Sequence, residues 1–198
     1  MQVPLTAEDQ SPAQPVGRGR SLLAWWPIAT GLVVGVFSVA TDDPGSIDGV
    51  LLTLLIPTCA YALIALGGNS SWTWPLTGLV VVTYLAGEAL SLPGAVILLG
   101  ITVATVMGGT AAGRWRPPPA EMRWQPWGAL VFLTGVITAM LLDVTAAKVV
   151  LAVGLLLHGA WDIVHWRRRA VVSRSLAEWC AALDISLGVG VLALVVFK

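Results

Sequence analysis

Three ionisable side chains, His158, Asp162 and His165, recur at steps of four and three residues in the run His158-Gly-Ala-Trp-Asp162-Ile-Val-His165-Trp. At about 100° per residue they share one stripe of a helix. Both histidines of the chain lie in this run. An imidazole beside a carboxylate can exchange a proton near neutral pH, coordinate a metal ion, or hydrogen-bond two helices together. The residues around them are apolar enough to cross a membrane, and an ionisable group inside a span is a functional-site candidate by default.

A second segment supplies partners. Ser175-Leu-Ala-Glu178 reads as a capping box, which gives Glu178 a capping role and fixes where the last helix starts. Asp184 then lies ~13 Å into that helix, and His158 lies about as far from Arg167, where the preceding helix leaves the membrane. The connection between them is short enough for antiparallel neighbours. Asp184 is therefore expected level with His158 and Asp162, with Cys180 one turn nearer the helix start, close to His165. The candidate site is His158, Asp162, His165, Asp184 and Cys180.

The chemistry divides into four readings. The cluster pins two helices, or it binds a proton, ion or small solute, or it holds a metal. Zinc or iron suits His and Asp donors, with His158, Asp162 and Asp184 as the better ligand set. His158 and His165 are ~10.5 Å apart along the axis, so His165 is placed in a supporting shell. Haem and retinal fit worst: two histidines on one face cannot clamp a haem, and the last span has no internal lysine. Binding or translocation of a proton, ion or small solute leads. An intramembrane metal-dependent hydrolase of lipid-like substrates and a structural or partner-binding subunit are the alternatives.

The pattern His158-x-x-Trp161-Asp162-x-x-His165, followed by Trp179-Cys180-x-x-x-Asp184, resembles one in uncharacterised small bacterial integral membrane proteins. Those carry H-x-x-W-D-x-x-H, often with a second adjacent His, then a Cys and an Asp in the last helix. Trp166 stands here at the second-His position. The likeness covers about the last 45 residues; it implies a bacterial membrane location and no particular activity. Seven-helix zinc hydrolases of the ceramidase type are similar in helix number but use three histidines, and this chain has two.

The elements that must position these residues are membrane spans. The chain is 57% hydrophobic and 11% charged, less than half the ~25% of charged residues in a soluble domain. It reads as an all-α polytopic bundle. Residues 1–20 are expected as a disordered cytoplasmic tail and 21–198 as one seven-helix domain, with spans near 22–40, 49–67, 75–91, 93–113, 127–142, 145–166 and 176–197. Each approaches the ~20 residues that cross a bilayer, the third and fifth being short. With seven spans every arginine falls on one side, leaving Lys148 and Lys198 opposite. All ten tryptophans fall on the arginine side too. The positive-inside rule makes that side cytoplasmic, with the N-terminus inside and the C-terminus outside.

Arg18, Arg20, the following apolar run and Ser38-Val39-Ala40 also resemble a cleavable signal, but the run exceeds the usual 7–15 residues, so a retained anchor is expected. Trp26-Pro27, Trp74-Pro75 and Pro126-Trp127 open alternate spans, a pattern that three parallel hairpins plus a seventh helix would produce. Glu88 is expected to snorkel, Asp143 to cap the sixth helix with Lys148 one turn on, and Pro57 to kink the second helix. Tyr61 is expected to line the site or to fill the core. No basic tract of useful length points to nucleic acid. Cys59 lies mid-span and Cys180 near a span end, neither in an exposed loop, so no disulfide framework is expected.

Overall fold

The computed structural model describes residues 22–116 and 120–197. The expected tail, residues 1–20, lies outside them. Among the described residues seven α-helices run in order with no strand: α1 (Trp26–Ala40), α2 (Asp48–Gly67), α3 (Thr73–Ala89), α4 (Gly94–Ala111), α5 (Gln125–Met140), α6 (Val144–Arg168) and α7 (Arg174–Val196). Each coincides with one of the expected apolar stretches. Helices α2, α4, α6 and α7 are long and apolar enough to cross a membrane. Helices α1, α3 and α5 are shorter, with 15, 17 and 16 residues.

The helix ends follow local chemistry. Pro27 and Pro126 sit in first turns, where a missing N–H loses nothing. The Asp143 carboxylate caps α6, accepting from the amides of Thr145 at 3.0 Å and Ala146 at 3.1 Å. Gly68, at φ +67°, ends α2 in the left-handed conformation that glycine adopts without strain. Pro57 is accommodated inside α2, which continues through it.

Two expected roles are corrected. The capping box at Ser175 and Glu178 does not form. Ser173 caps α7 instead, accepting from the Leu176 amide. Ser175 Oγ accepts from Trp74 Nε1 at 3.0 Å, and Glu178 Oε1 accepts from Trp166 Nε1 at 2.5 Å. Tertiary partners thus win over the local box. Glu88 does not merely snorkel: its Oε1 accepts from the Gly94 amide at 3.0 Å and so closes the start of α4.

Packing departs from a row of hairpins. Helix α7 is clasped between α6 and α1, while α2 is central and touches α3, α4, α5, α6 and α7. The first expected hairpin is therefore not a packed pair: α1 lies along α7. Small residues permit this. A Cβ at Gly31 would strike the Trp179 carbonyl, and one at Gly35 would strike Ser186 Oγ. Glycines four residues apart let two membrane helices approach to backbone contact.

Contacts across the bundle define two ends. Trp26 stacks near Trp74 with ring centroids 5.7 Å apart, and Trp74 meets Trp179 at 6.4 Å. The Arg174 guanidinium lies 5.0 Å from the Trp166 ring centre. Arg114 donates to the Leu66 carbonyl, and Arg168 Nη1 pairs with Glu121 Oε1 at 2.8 Å. Its own backbone amide first, then Arg168, hold the Glu121 carboxyl below the ordinary carboxylate range. The starts of α1, α3 and α7 and the ends of α2, α4 and α6 therefore meet at one end. At the opposite end Lys148 is buried and binds Asp42 Oδ2 at 2.5 Å and the Asp43 carbonyl at 2.6 Å. It ties α6 to the α1–α2 connection rather than pairing with Asp143. Trp115 is the exception among the tryptophans: it turns inward, buried against Gly109.

Candidate ion site in the helix core

The α6 stripe faces inward. His158, Asp162 and His165 are all buried, and so are Asp184 on α7 and Tyr61 on α2. His158 lies about 15 Å before the end of α6 and Asp184 about 15 Å after the start of α7, so antiparallel packing sets them level. The matching depths need no special backbone; they follow from two helices meeting at a short connection.

His158 Nδ1 is the centre of the group. It lies 2.8 Å from Asp184 Oδ2 and 3.3 Å from Asp162 Oδ2. The Tyr61 hydroxyl donates to Asp162 Oδ1. One ligand atom from each of His158, Asp162 and Asp184 falls within 4.8 Å of the others. Asp184 Oδ1 is buried and has no hydrogen-bond partner. A buried carboxylate oxygen without a donor costs more than the average buried polar atom, so natural structures rarely leave one alone.

Two of the expected residues are not in this group. His165 is separated from His158 by the Tyr61 ring, which stands edge-on to both imidazoles at centroid distances of 5.5 Å and 5.3 Å. Its Nδ1 donates to the Trp161 carbonyl at 2.8 Å, and its Nε2 accepts from the Gln125 side-chain amide at 2.7 Å. That pattern fits a neutral imidazole with both nitrogens used. His165 holds α5 against α6 and braces Tyr61. Cys180 is buried one turn before Asp184, and its thiol stays outside the cluster of candidate ligands.

Tyr61 and Gln125 were the least legible members. Tyr61 could equally fill a core by its sequence, and Gln125 sits at the start of α5, where no periodicity marks it. The one readable signal was a polar side chain at the mouth of an apolar helix. Phe132 completes the wall, its ring centroid 4.7 Å from that of His158. Between Thr58, Tyr61, Gln125, Phe132, His158 and Trp161 is a cavity of about 10 Å³, room for about one water-sized particle.

No family model, curated protein or solved structure matches the chain.

Proposed function

We propose that this chain is a seven-span integral membrane protein whose core binds one small cation between α6, α7 and α2. Four helices meet the length and hydropathy of a span, and wide apolar side chains line the outside of the bundle. The proposed membrane is the bacterial cytoplasmic membrane. The arginine and tryptophan end faces the cytoplasm, and α1 is retained as the first span. The common end of the arginines supports the orientation, and the close fit of Gly31 and Gly35 on α7 supports retention. A reporter fused after Val196 is expected outside the cell, and one inserted beside Arg116 inside. Both reporting the same side would contradict the number of spans, and the two sides reversed would contradict the orientation.

The observation that carries the cation reading is the unpartnered Asp184 Oδ1. Two buried carboxylates share one imidazole, so protonated His158 supplies at most one positive charge against two negative ones. Lys148, the other buried cation of α6, is engaged with Asp42 about 15 Å away along the helix. A second positive charge, a bound cation or a proton held between the two carboxylates, offsets the other, because buried charge without a partner is strongly unfavourable. The ligand atoms of His158, Asp162 and Asp184 lie within 4.8 Å of one another, a spacing that favours an ion over a solute or lipid. The larger grooves, of about 610 and 550 Å³, lie on the flanks of α7 and are lined almost wholly by apolar side chains.

The test is thermal unfolding of the detergent-purified protein against Na⁺, K⁺, Mg²⁺, Mn²⁺ and Zn²⁺. A cation that binds only the folded state at 100 times its Kd adds about 2.7 kcal/mol, a shift of several degrees. At least one cation is expected to stabilise the unsubstituted protein, and none the Asp184→Asn variant. No response to any cation in the unsubstituted protein would sink the reading.

A further inference from the structure

We propose that His158, Asp162 and Asp184 form a site for one divalent first-row transition-metal ion of the zinc, iron(II) or manganese(II) class. The proposal rests on the cation reading above and narrows it to one kind of ion.

Charge is the first argument. Two carboxylates with a neutral imidazole carry two negative charges, which one divalent ion cancels. A monovalent ion balances the site only while His158 stays protonated, when its imidazole cannot serve as a ligand. The second argument is donor type. Carboxylates alone suit magnesium or calcium, whereas an imidazole nitrogen in the set favours the first-row transition ions. The absence of a thiolate from the cluster argues against the softest ions, such as copper(I).

Geometry is the third. Ligands bound at about 2.0–2.2 Å around a tetrahedral ion stand about 3.3–3.6 Å apart. The His158 Nδ1 to Asp162 Oδ2 separation is 3.3 Å and already matches. The His158 Nδ1 to Asp184 Oδ2 separation of 2.8 Å needs to open by about half an ångström to match. The free Asp184 Oδ1 supplies a further donor without breaking any hydrogen bond. Binding releases the proton that His158 Nδ1 shares with the carboxylates, since the metal takes a neutral imidazole through a lone pair.

The surroundings have the form of a metal site's outer shell. The Tyr61 hydroxyl donates to Asp162 and fixes the orientation of a ligating carboxylate. Phe132 and the apolar faces of the helices keep bulk water away. The cavity bordering His158 and Tyr61, which Asp162 and Asp184 do not line, has room for about one water molecule on the imidazole's side.

The experiment is a Co²⁺ titration of the chelator-stripped, full-length protein in detergent, followed by its visible d–d bands, with Zn²⁺ as competitor. One equivalent is expected to bind, and Zn²⁺ to displace it. His165→Gln and Cys180→Ser are expected to keep the bands, which places the metal away from those side chains. His158→Gln and Asp184→Asn are expected to lose them. Tyr61→Phe is expected to weaken binding about 10- to 100-fold while keeping the spectrum, as loss of an outer-shell partner does. If neither Co²⁺ nor Zn²⁺ binds the unsubstituted protein, the proposal fails without recourse to any variant. Stabilisation by Na⁺ or K⁺ in that case would leave the broader cation reading standing. Bands lost in Cys180→Ser but kept in Asp184→Asn would overturn the assigned ligands.

Discussion

A His158→Leu protein is expected to lose about 3–5 kcal/mol of stability and to accumulate poorly in the membrane. The substitution leaves Asp162 and Asp184 buried without a cationic or hydrogen-bonding neighbour from α6, and breaking a buried charge cluster from one side has a cost of that order. His158→Gln is expected to be milder, because it retains an amide donor for one carboxylate; an interhelical hydrogen bond of this kind averages ~0.6 kcal/mol. The informative comparison is a fourfold variant, His158→Leu with Asp162→Val, Asp184→Val and Tyr61→Phe. Replacing a whole buried polar cluster by apolar residues is often neutral or stabilising, so this protein is expected to recover most of the lost stability while losing every cation response. Unfolding in a denaturing-detergent titration measures all three. A fourfold variant as unstable as His158→Leu would show that the cluster is needed for the fold itself.

Gly35→Leu is expected to push α1 off α7. A Cβ at this position would fall on Ser186 Oγ and 3.0 Å from the Leu183 carbonyl. The backbone of α7 cannot retreat, because α6 packs on its other side. Overpacking of this kind costs about 1–3 kcal/mol or more, and here the strain is relieved by moving a whole helix. Cross-linking reads the displacement. Val39 of α1 lies against Gly190 of α7, so a cysteine pair placed at these two positions, with Cys59 and Cys180 replaced, is expected to form a disulfide in the otherwise unsubstituted background. The yield is expected to fall sharply when Gly35→Leu is added. An unchanged yield would mean that α1 tolerates the larger residue by sliding, and that the small-residue contact does not hold it.

The positions of the helices were legible because runs of apolar residues broken by Pro, Gly and charged connectors leave little choice. The convergence of His158, Asp162 and Asp184 was legible for a related reason. Helical rise is constant, so depth can be counted from each end of a short connection. Lateral neighbours were not. These helices are apolar nearly all round, so no polar face says which side meets protein and which meets lipid. That is why the hairpin pattern suggests α2 as the neighbour of α1, whereas Gly31, Gly35 and Gly190 seat it on α7.

Individual polar roles failed for a different reason. Ser175 and Glu178 match a local capping pattern, but Trp74 and Trp166 reach them from elsewhere in the fold. His165 shares the stripe of His158, yet the Tyr61 ring from α2 stands between them. Periodicity places a side chain on a face; it does not report what another helix inserts there.

The central claim is that one cation sits among His158, Asp162 and Asp184. The most direct measurement is an anomalous difference map from crystals grown with Zn²⁺, with data collected on both sides of the zinc absorption edge. The account predicts one strong peak per chain, about 2.0–2.2 Å from His158 Nδ1 and from a carboxylate oxygen of each aspartate. A map with no peak at that position, from protein whose unfolding temperature no cation raises, would contradict it.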